Sequence, residues 1–225
     1  ILRCLVGSEM CIRDSVNGDG YADMIMGDSF RDSESDENVG SVRLFYGGEE
    51  GFTYGALWQV WGQLSDGGFG ESLASLGDVN GDGFDDVAIG APGSYDGDIP
   101  SAVFVYYGSA DGLAQIADFV AAGNDGTSRF GGSISGAGDI NGDGFDDMLV
   151  SGGSDEVVYY YFGSEAGFSD EPSGALESET YDFIFAESLQ GLGDVNGDGF
   201  DDIAVDAEDI DCLLYTSPSP RDIGE

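Results

Sequence analysis

The residues best equipped for chemistry form one nine-residue string, Asp78-Val79-Asn80-Gly81-Asp82-Gly83-Phe84-Asp85-Asp86. Oxygen-bearing side chains stand at its first, third, fifth and ninth positions, and a glycine holds the sixth. Alternate residues of a tightly coiled loop point to one centre, the glycine admits the sharp turn, and the carbonyl of Phe84 can face inward. Three carboxylates, one amide and one carbonyl, completed by water, make a hard-oxygen cage. Such a cage suits Ca2+, which takes about six to eight oxygens, better than Mg2+, which demands a small rigid octahedron. Without an ion the carboxylates repel one another, so binding is expected to be coupled to folding of the loop.

The string recurs. Asp139 to Asp147 reads DINGDGFDD, Asp194 to Asp202 reads DVNGDGFDD, and Val16 to Asp23 keeps VNGDGYAD. Its fifth position falls at Asp19, Asp82, Asp143 and Asp198, a period of about 60 residues. An EF-hand would need a glutamate at the twelfth position, where Ile89, Val150 and Val205 stand. It would also need an exiting amphipathic helix, whereas Asp86-Val87-Ala88-Ile89-Gly90 reads as a strand.

The elements that must position these loops read as β throughout. After each loop come a short apolar run, an acidic turn-rich stretch and a β-branched and aromatic run: Ser41 to Tyr46, Ala102 to Tyr107 and Val157 to Phe162. A third run spans Leu57 to Trp61 and Ala117 to Ala121; a fourth is read at Phe69 to Leu73, Phe130 to Ile134 and Phe185 to Leu189. No segment sustains helical spacing, and each interior glycine costs a helix about 1 kcal/mol. The expected fold is all-β, a β-propeller fragment of about three to four blades with about four strands in each period. Trp58, Trp61, Tyr106, Tyr107 and Tyr159 to Tyr161 are expected to pack mostly between blades.

Composition narrows the chemistry. The 225 residues carry 45 acidic and 6 basic side chains, a net charge of −39, with no histidine. Nucleic acid and anionic membrane surfaces would be repelled. Imidazole bases, Ser-His and Cys-His pairs and histidine-ligated zinc are excluded. All six cations are arginine, so a Schiff-base or P-loop lysine is absent too. Paired carboxylates could serve glycoside hydrolysis, but the repeated ones are accounted for by metal ligation, and no enzyme activity is expected of these residues.

Both ends break with this pattern. Residues 5–15 and 212–222 can be encoded by strings that are nearly reverse complements, and they resemble a translated sequencing-library adapter. Residues 1–15 and 212–225 are therefore set aside as adapter-derived, leaving 16–211 as the native propeller segment, cut from a longer reading frame. That segment holds no cysteine and contains no stretch for membrane insertion. About three blades cannot close a ring, so open edges are expected to leave it marginally stable or aggregation-prone.

The string from Phe69-Gly70-Glu71-Ser72-Leu73 through Gly77-Asp78 to Gly90-Ala91-Pro92 resembles an FG-GAP repeat. That family includes the propeller headpiece of integrin alpha chains and many prokaryotic secreted or surface proteins. The resemblance implies Ca2+ ligands at Asp78, Asn80, Asp82, Phe84 (carbonyl) and Asp86. It implies a second set at Asp139, Asn141, Asp143, Phe145 (carbonyl) and Asp147, and a third at Asp194, Asn196, Asp198, Phe200 (carbonyl) and Asp202. The first loop, 15–23, keeps Asn17, Asp19, Tyr21 and Asp23, but Ser15 in its first position should weaken it. Gly27-Asp28-Ser29, Ser151-Gly152-Gly153, Asp206-Ala207-Glu208 and Phe185-Ala186 depart from the pattern, so close kinship to animal integrins does not follow. The resemblance implies structural calcium loops on one face and partner contacts from interblade loops on the other, with 28–38 and 93–100 as candidates. The reading is a non-catalytic, calcium-binding module of a secreted or cell-surface protein, serving adhesion or recognition of a protein or glycan. The alternative is the accessory propeller of a larger extracellular hydrolase or lyase.

Overall fold

The computed structural model describes residues 9–11, 15–33, 36–52, 58–94, 98–123, 129–153, 157–177, 185–207 and 210–215. These form four antiparallel sheets and, among the described residues, no α-helix. The first holds β1 (Glu9–Cys11), β2 (Met24–Asp28), β3 (Ser41–Phe45) and β4 (Trp58–Trp61). The second holds β5 (Leu73–Gly77), β6 (Asp86–Ala91), β7 (Ala102–Tyr106) and β8 (Phe119–Ala122). The third holds β9 (Ile134–Gly138), β10 (Asp147–Ser151), β11 (Val157–Tyr161) and β12 (Gly174–Glu177), and the fourth β13 (Phe185–Gly193), β14 (Asp202–Ala207) and β15 (Ile210–Tyr215).

Within every sheet the strands pair in chain order, an up-and-down meander. First strands lie beside first strands: β1 next to β5, β5 next to β9, β9 next to β13. That is how propeller blades stand around an axis, and the all-β expectation is met.

Burial explains the strand types. β6 and β10 sit mid-sheet with both faces covered and are buried almost throughout, which is why they read as unbroken apolar runs. β8 alternates buried and exposed residues. Three cores fill the spaces between sheets: Ile25, Leu44 and Trp58 meet Leu73 and Ile89, Val103 and Phe119 meet Met148 and Tyr161, and Leu149 and Val158 meet Leu189 and Val205. Trp58 lies edge-on to Tyr106 at 5.2 Å and donates its indole N–H to Ala114 O, as interblade packing requires. Trp61, on the opposite phase, stays 41% exposed.

One strand reading needs correction. Phe69 to Leu73 is not a fourth strand; β5 begins at Leu73 and is the first strand of its own blade. Gly70 takes φ 86° and gives its N–H to Gly90 O at 2.9 Å, while Phe69 plugs the core against Phe104. Gly131 repeats this at φ 74° with Ser151 O. The Phe-Gly pair therefore turns the chain into the strand. In the fourth sheet, where Phe185-Ala186 replaces it, β13 runs from Phe185 and Ala186 adopts φ 64° without glycine's freedom.

β1 and much of β15 fall on the stretches set aside as adapter, and they pair with β2 and β14. Ladder pairing uses main-chain groups, so it is indifferent to where the side chains came from. Of the two candidate partner loops, residues 34–35 and 95–97 lie outside the described residues.

Candidate metal centres

Each repeated loop is the hairpin connection between the first and second strands of a blade: 78–86 joins β5 to β6, 139–147 joins β9 to β10, and 194–202 joins β13 to β14. Loop 15–23 leads into β2. Glycines at the fourth and sixth positions, Gly81 and Gly83, take φ 72° and 89°, coiling the loop tightly enough for alternate side chains to converge.

They do converge. The Asp82 N–H donates to Asp78 Oδ1 at 3.0 Å and to Asn80 Oδ1 at 2.9 Å. Gly83 N–H donates to Asp78 Oδ2 at 2.8 Å, and Phe84 N–H to Asp82 Oδ1 at 3.0 Å. The same four bonds hold Asp139, Asn141 and Asp143 at 3.0, 2.8, 2.8 and 3.0 Å. They hold Asp194, Asn196 and Asp198 at 3.1, 2.8, 2.9 and 3.0 Å. In the first loop Ser15 Oγ takes the aspartate's place, accepting from Asp19 N–H at 3.0 Å beside Asn17 Oδ1, and Tyr21 N–H reaches Asp19 Oδ1 at 2.8 Å.

The ninth residue is placed differently. Asp86 is fully buried beneath its loop, Oδ2 accepting from Val79 N–H at 2.9 Å and Oδ1 from Gly108 N–H at 2.8 Å. Asp147 does likewise with Ile140 and Gly163, and Asp23 with Val16 and Gly47. Asp202 accepts from Val195 N–H, and Asn196 Nδ2 touches its other oxygen at 3.3 Å. Among the described residues, no group of three carboxylates gathers closely enough to hold a metal ion as it stands. The first, third and fifth residues meet, and the ninth faces the amides below them.

Electrostatics nonetheless favour a cation. Burial pushes the Asp86 and Asp147 carboxyls up to about 7, outweighing two N–H donors each, and the loop carboxylates above add to the rise. Burial raises Asp23 as well. A carboxylate so placed carries its charge poorly unless a positive charge stands near. At the loop surface the balance reverses: N–H donation from Tyr21 holds Asp19 below the ordinary carboxylate range, and N–H donation from Gly199 does so for Asp194. An all-oxygen donor set, anionic at the rim and charge-starved beneath, fits a hard divalent ion.

Sequence reasoning left out the eighth residue. Asp146 Oδ2 accepts the N–H of Asp78, the first residue of the preceding blade's loop, at 2.8 Å. Asp146 N–H in return donates to Asp78 O at 3.3 Å. Asp201 and Asp139 make the same reciprocal pair at 3.0 and 3.1 Å, and Asp85 makes it with Ser15. The only signal in the sequence was an acidic doublet, Asp-Asp, closing three of the four loops.

Away from the loops, a groove of about 280 Å³ lies between β4 of the first blade and β7 and β8 of the second. Phe69, Phe104 and Tyr106 line it, Gln59, Gln63 and Gln115 supply amides, and no charged residue borders it. Tyr106 is its one titratable group, with burial pushing its phenol up to about 12.

Fold and loops together define a β-propeller built from FG-GAP repeats. Residues 69–106, from the Phe-Gly turn to the end of β7, match the FG-GAP repeat family model. The chain is similar to integrin alpha-4 of Xenopus laevis, 32% identical over 81% of this chain, and to integrin alpha-7 of Rattus norvegicus, 35% identical over 68%. It is 32% identical to integrin alpha-V of Gallus gallus over 88% of its length. It spans only 18%, 13% and 20% of those three proteins. Among solved structures, an exotype rhamnogalacturonan lyase shares the fold with a TM-score of 0.50, at 17% identity, covering 87% of this chain and 37% of that one. Among the described residues, no helix is long and apolar enough to cross a membrane.

Proposed function

We propose that this chain is a non-catalytic, calcium-binding propeller module of a secreted or cell-surface protein, serving adhesion or recognition of a protein or glycan. The observation that carries the reading is the convergence of the first- and third-position oxygens on one backbone N–H in all four loops. In the second loop Asp78, Asn80, Asp82, the Phe84 carbonyl and Asp86 would hold the ion. Asp139, Asn141, Asp143, Phe145 and Asp147 would do so in the third loop, and Asp194, Asn196, Asp198, Phe200 and Asp202 in the fourth. Asn17, Asp19, Tyr21 and Asp23 would serve the first more weakly. Bound calcium would supply positive charge beside the buried carboxyls of Asp23, Asp86 and Asp147, whose charged forms burial disfavours, fixing those hairpins against their blades. Millimolar calcium outside cells suffices for modules of this chemistry.

The integrin relatives support the adhesive reading. The accessory-propeller alternative has the lyase's shape behind it, a likeness that at 17% identity concerns the fold alone. Equilibrium dialysis with elemental analysis tests the calcium reading: three tightly held Ca2+ per chain support it, and none retained at millimolar calcium overturns it.

A further inference from the structure

We infer that Asp85, Asp146 and Asp201 are positioning residues that fasten each loop to the one before it, so that the first proposed calcium ligand of a loop is held in place by the blade that follows. The inference rests on the calcium reading above and goes beyond it: none of the three is a ligand of either loop it joins.

Three observations coincide at every blade boundary that the described loops share. The eighth-position carboxylate of the later blade accepts the N–H of the earlier loop's first residue: Asp85 from Ser15, Asp146 from Asp78, Asp201 from Asp139. The main chain closes the pair in the other direction, each eighth-residue N–H donating to the first residue's carbonyl. The seventh-position ring, one residue earlier, lies on the fourth-position glycine of that same preceding loop. A Cβ added to Gly18 would meet Phe84 at 2.8 Å, one on Gly81 would meet Phe145 at 2.7 Å, and one on Gly142 would run into Phe200. Gly197, in the last of the four loops, has nothing within 4 Å. The contact thus follows the neighbouring blade and not the loop's own coiling.

The consequence is directional. Asp78 is the first proposed ligand of its loop, and its backbone is held by the following blade. Removing Asp146 therefore frees Asp78 and should weaken calcium at loop 78–86, while loop 139–147, to which Asp146 belongs in sequence, keeps its own clamp through Asp201. A role confined to the residue's own hairpin would give the opposite assignment.

Calcium titration of the full chain, followed by amide NMR, separates these outcomes, because Gly81 and Gly83 report one loop and Gly142 and Gly144 the next. In Asp146→Ala the midpoint at Gly81 and Gly83 should rise roughly ten- to a hundredfold, the worth of one hydrogen bond to a charged acceptor. The midpoint at Gly142 and Gly144 should stay put, and Asp146→Asn, which keeps an acceptor oxygen, should restore most of the loss. A shift at Gly142 and Gly144 instead, or none at either pair, overturns the inference. If Asp146→Ala does not fold, hydrogen exchange in the unsubstituted protein decides: the Asp78 amide should be protected in calcium, and exchange at the rate of an exposed loop amide overturns the clamp. No response at any loop glycine of the unsubstituted protein is a different result, for it defeats the calcium reading itself.

Discussion

Asp86 and Gly108 are joined by a 2.8 Å hydrogen bond that ties the bottom of a loop to the far end of β7, on the other side of β6. Since Val79 N–H occupies the other oxygen, one buried carboxylate satisfies two backbone donors that have no access to water. Asp86→Ala should therefore lower unfolding free energy by about 2–6 kcal/mol, each of the two stranded donors costing roughly 1–3. Urea unfolding in chelator, where metal loss cannot contribute, measures this; a change under half a kcal/mol would refute the bridging role.

The same burial sets a pH dependence. A carboxyl pushed up to about 7 in the folded protein, against an ordinary value of 3.8, binds more protons folded than unfolded between those values. Stability in chelator should then be fullest near pH 4 and fall as pH rises toward 7, with Asp86 and Asp147 contributing alike. Calcium offsets the charge that burial penalises, so the stabilisation it confers should grow across the same window. Melting temperatures at pH 4.5, 6 and 7.5, with and without calcium, give both slopes; equal calcium effects at all three would contradict this account.

Much of this was legible in the residues, and for identifiable reasons. The loops announced themselves because oxygen donors and coiling glycines sit at fixed offsets, and the strands because Val87 to Gly90 and Ala102 to Tyr106 have too few polar residues to be anything but covered. The Phe-Gly turn hides in the sequence because Phe69 and Gly70 look like strand residues, and only the left-handed φ of Gly70 sets them apart. The clamp at Asp146 was invisible for a deeper reason: it joins residues 68 apart, and nothing in a single repeat says what the next one touches. Spacing marks Asp86 as a ninth-position oxygen, but its hold on Gly108 depends on a register that spacing cannot supply.

Loss of individual ligands should subtract ions one at a time. Asp82→Ala and Asp143→Ala each remove the central carboxylate of one loop, so bound calcium should fall by about one per substitution and by two in the double variant. The first loop, with Ser15 in place of an aspartate, should be the last to fill during titration. Dialysis of the variants with elemental analysis checks the count, and unchanged stoichiometry in Asp82→Ala would show that loop 78–86 holds no ion.

Glycine at the fourth loop position distinguishes the packing of neighbouring blades from the conformation of a single loop. Gly81 and Gly197 occupy equivalent places at φ 72° and 77°, so alanine meets similar backbone strain at each, on the order of 1–2 kcal/mol. At Gly81 the new methyl must also displace the Phe145 ring, whereas at Gly197 it enters open space. Gly81→Ala should therefore be more damaging than Gly197→Ala by about 1–3 kcal/mol, the usual cost of overpacking. Shortening the ring should recover the difference: Phe145→Leu combined with Gly81→Ala should lose less than the two substitutions do separately, a coupling that a double-mutant cycle reads directly. Additive losses would mean that Phe145 and Gly81 do not press on one another, and that adjacent loops are packed independently.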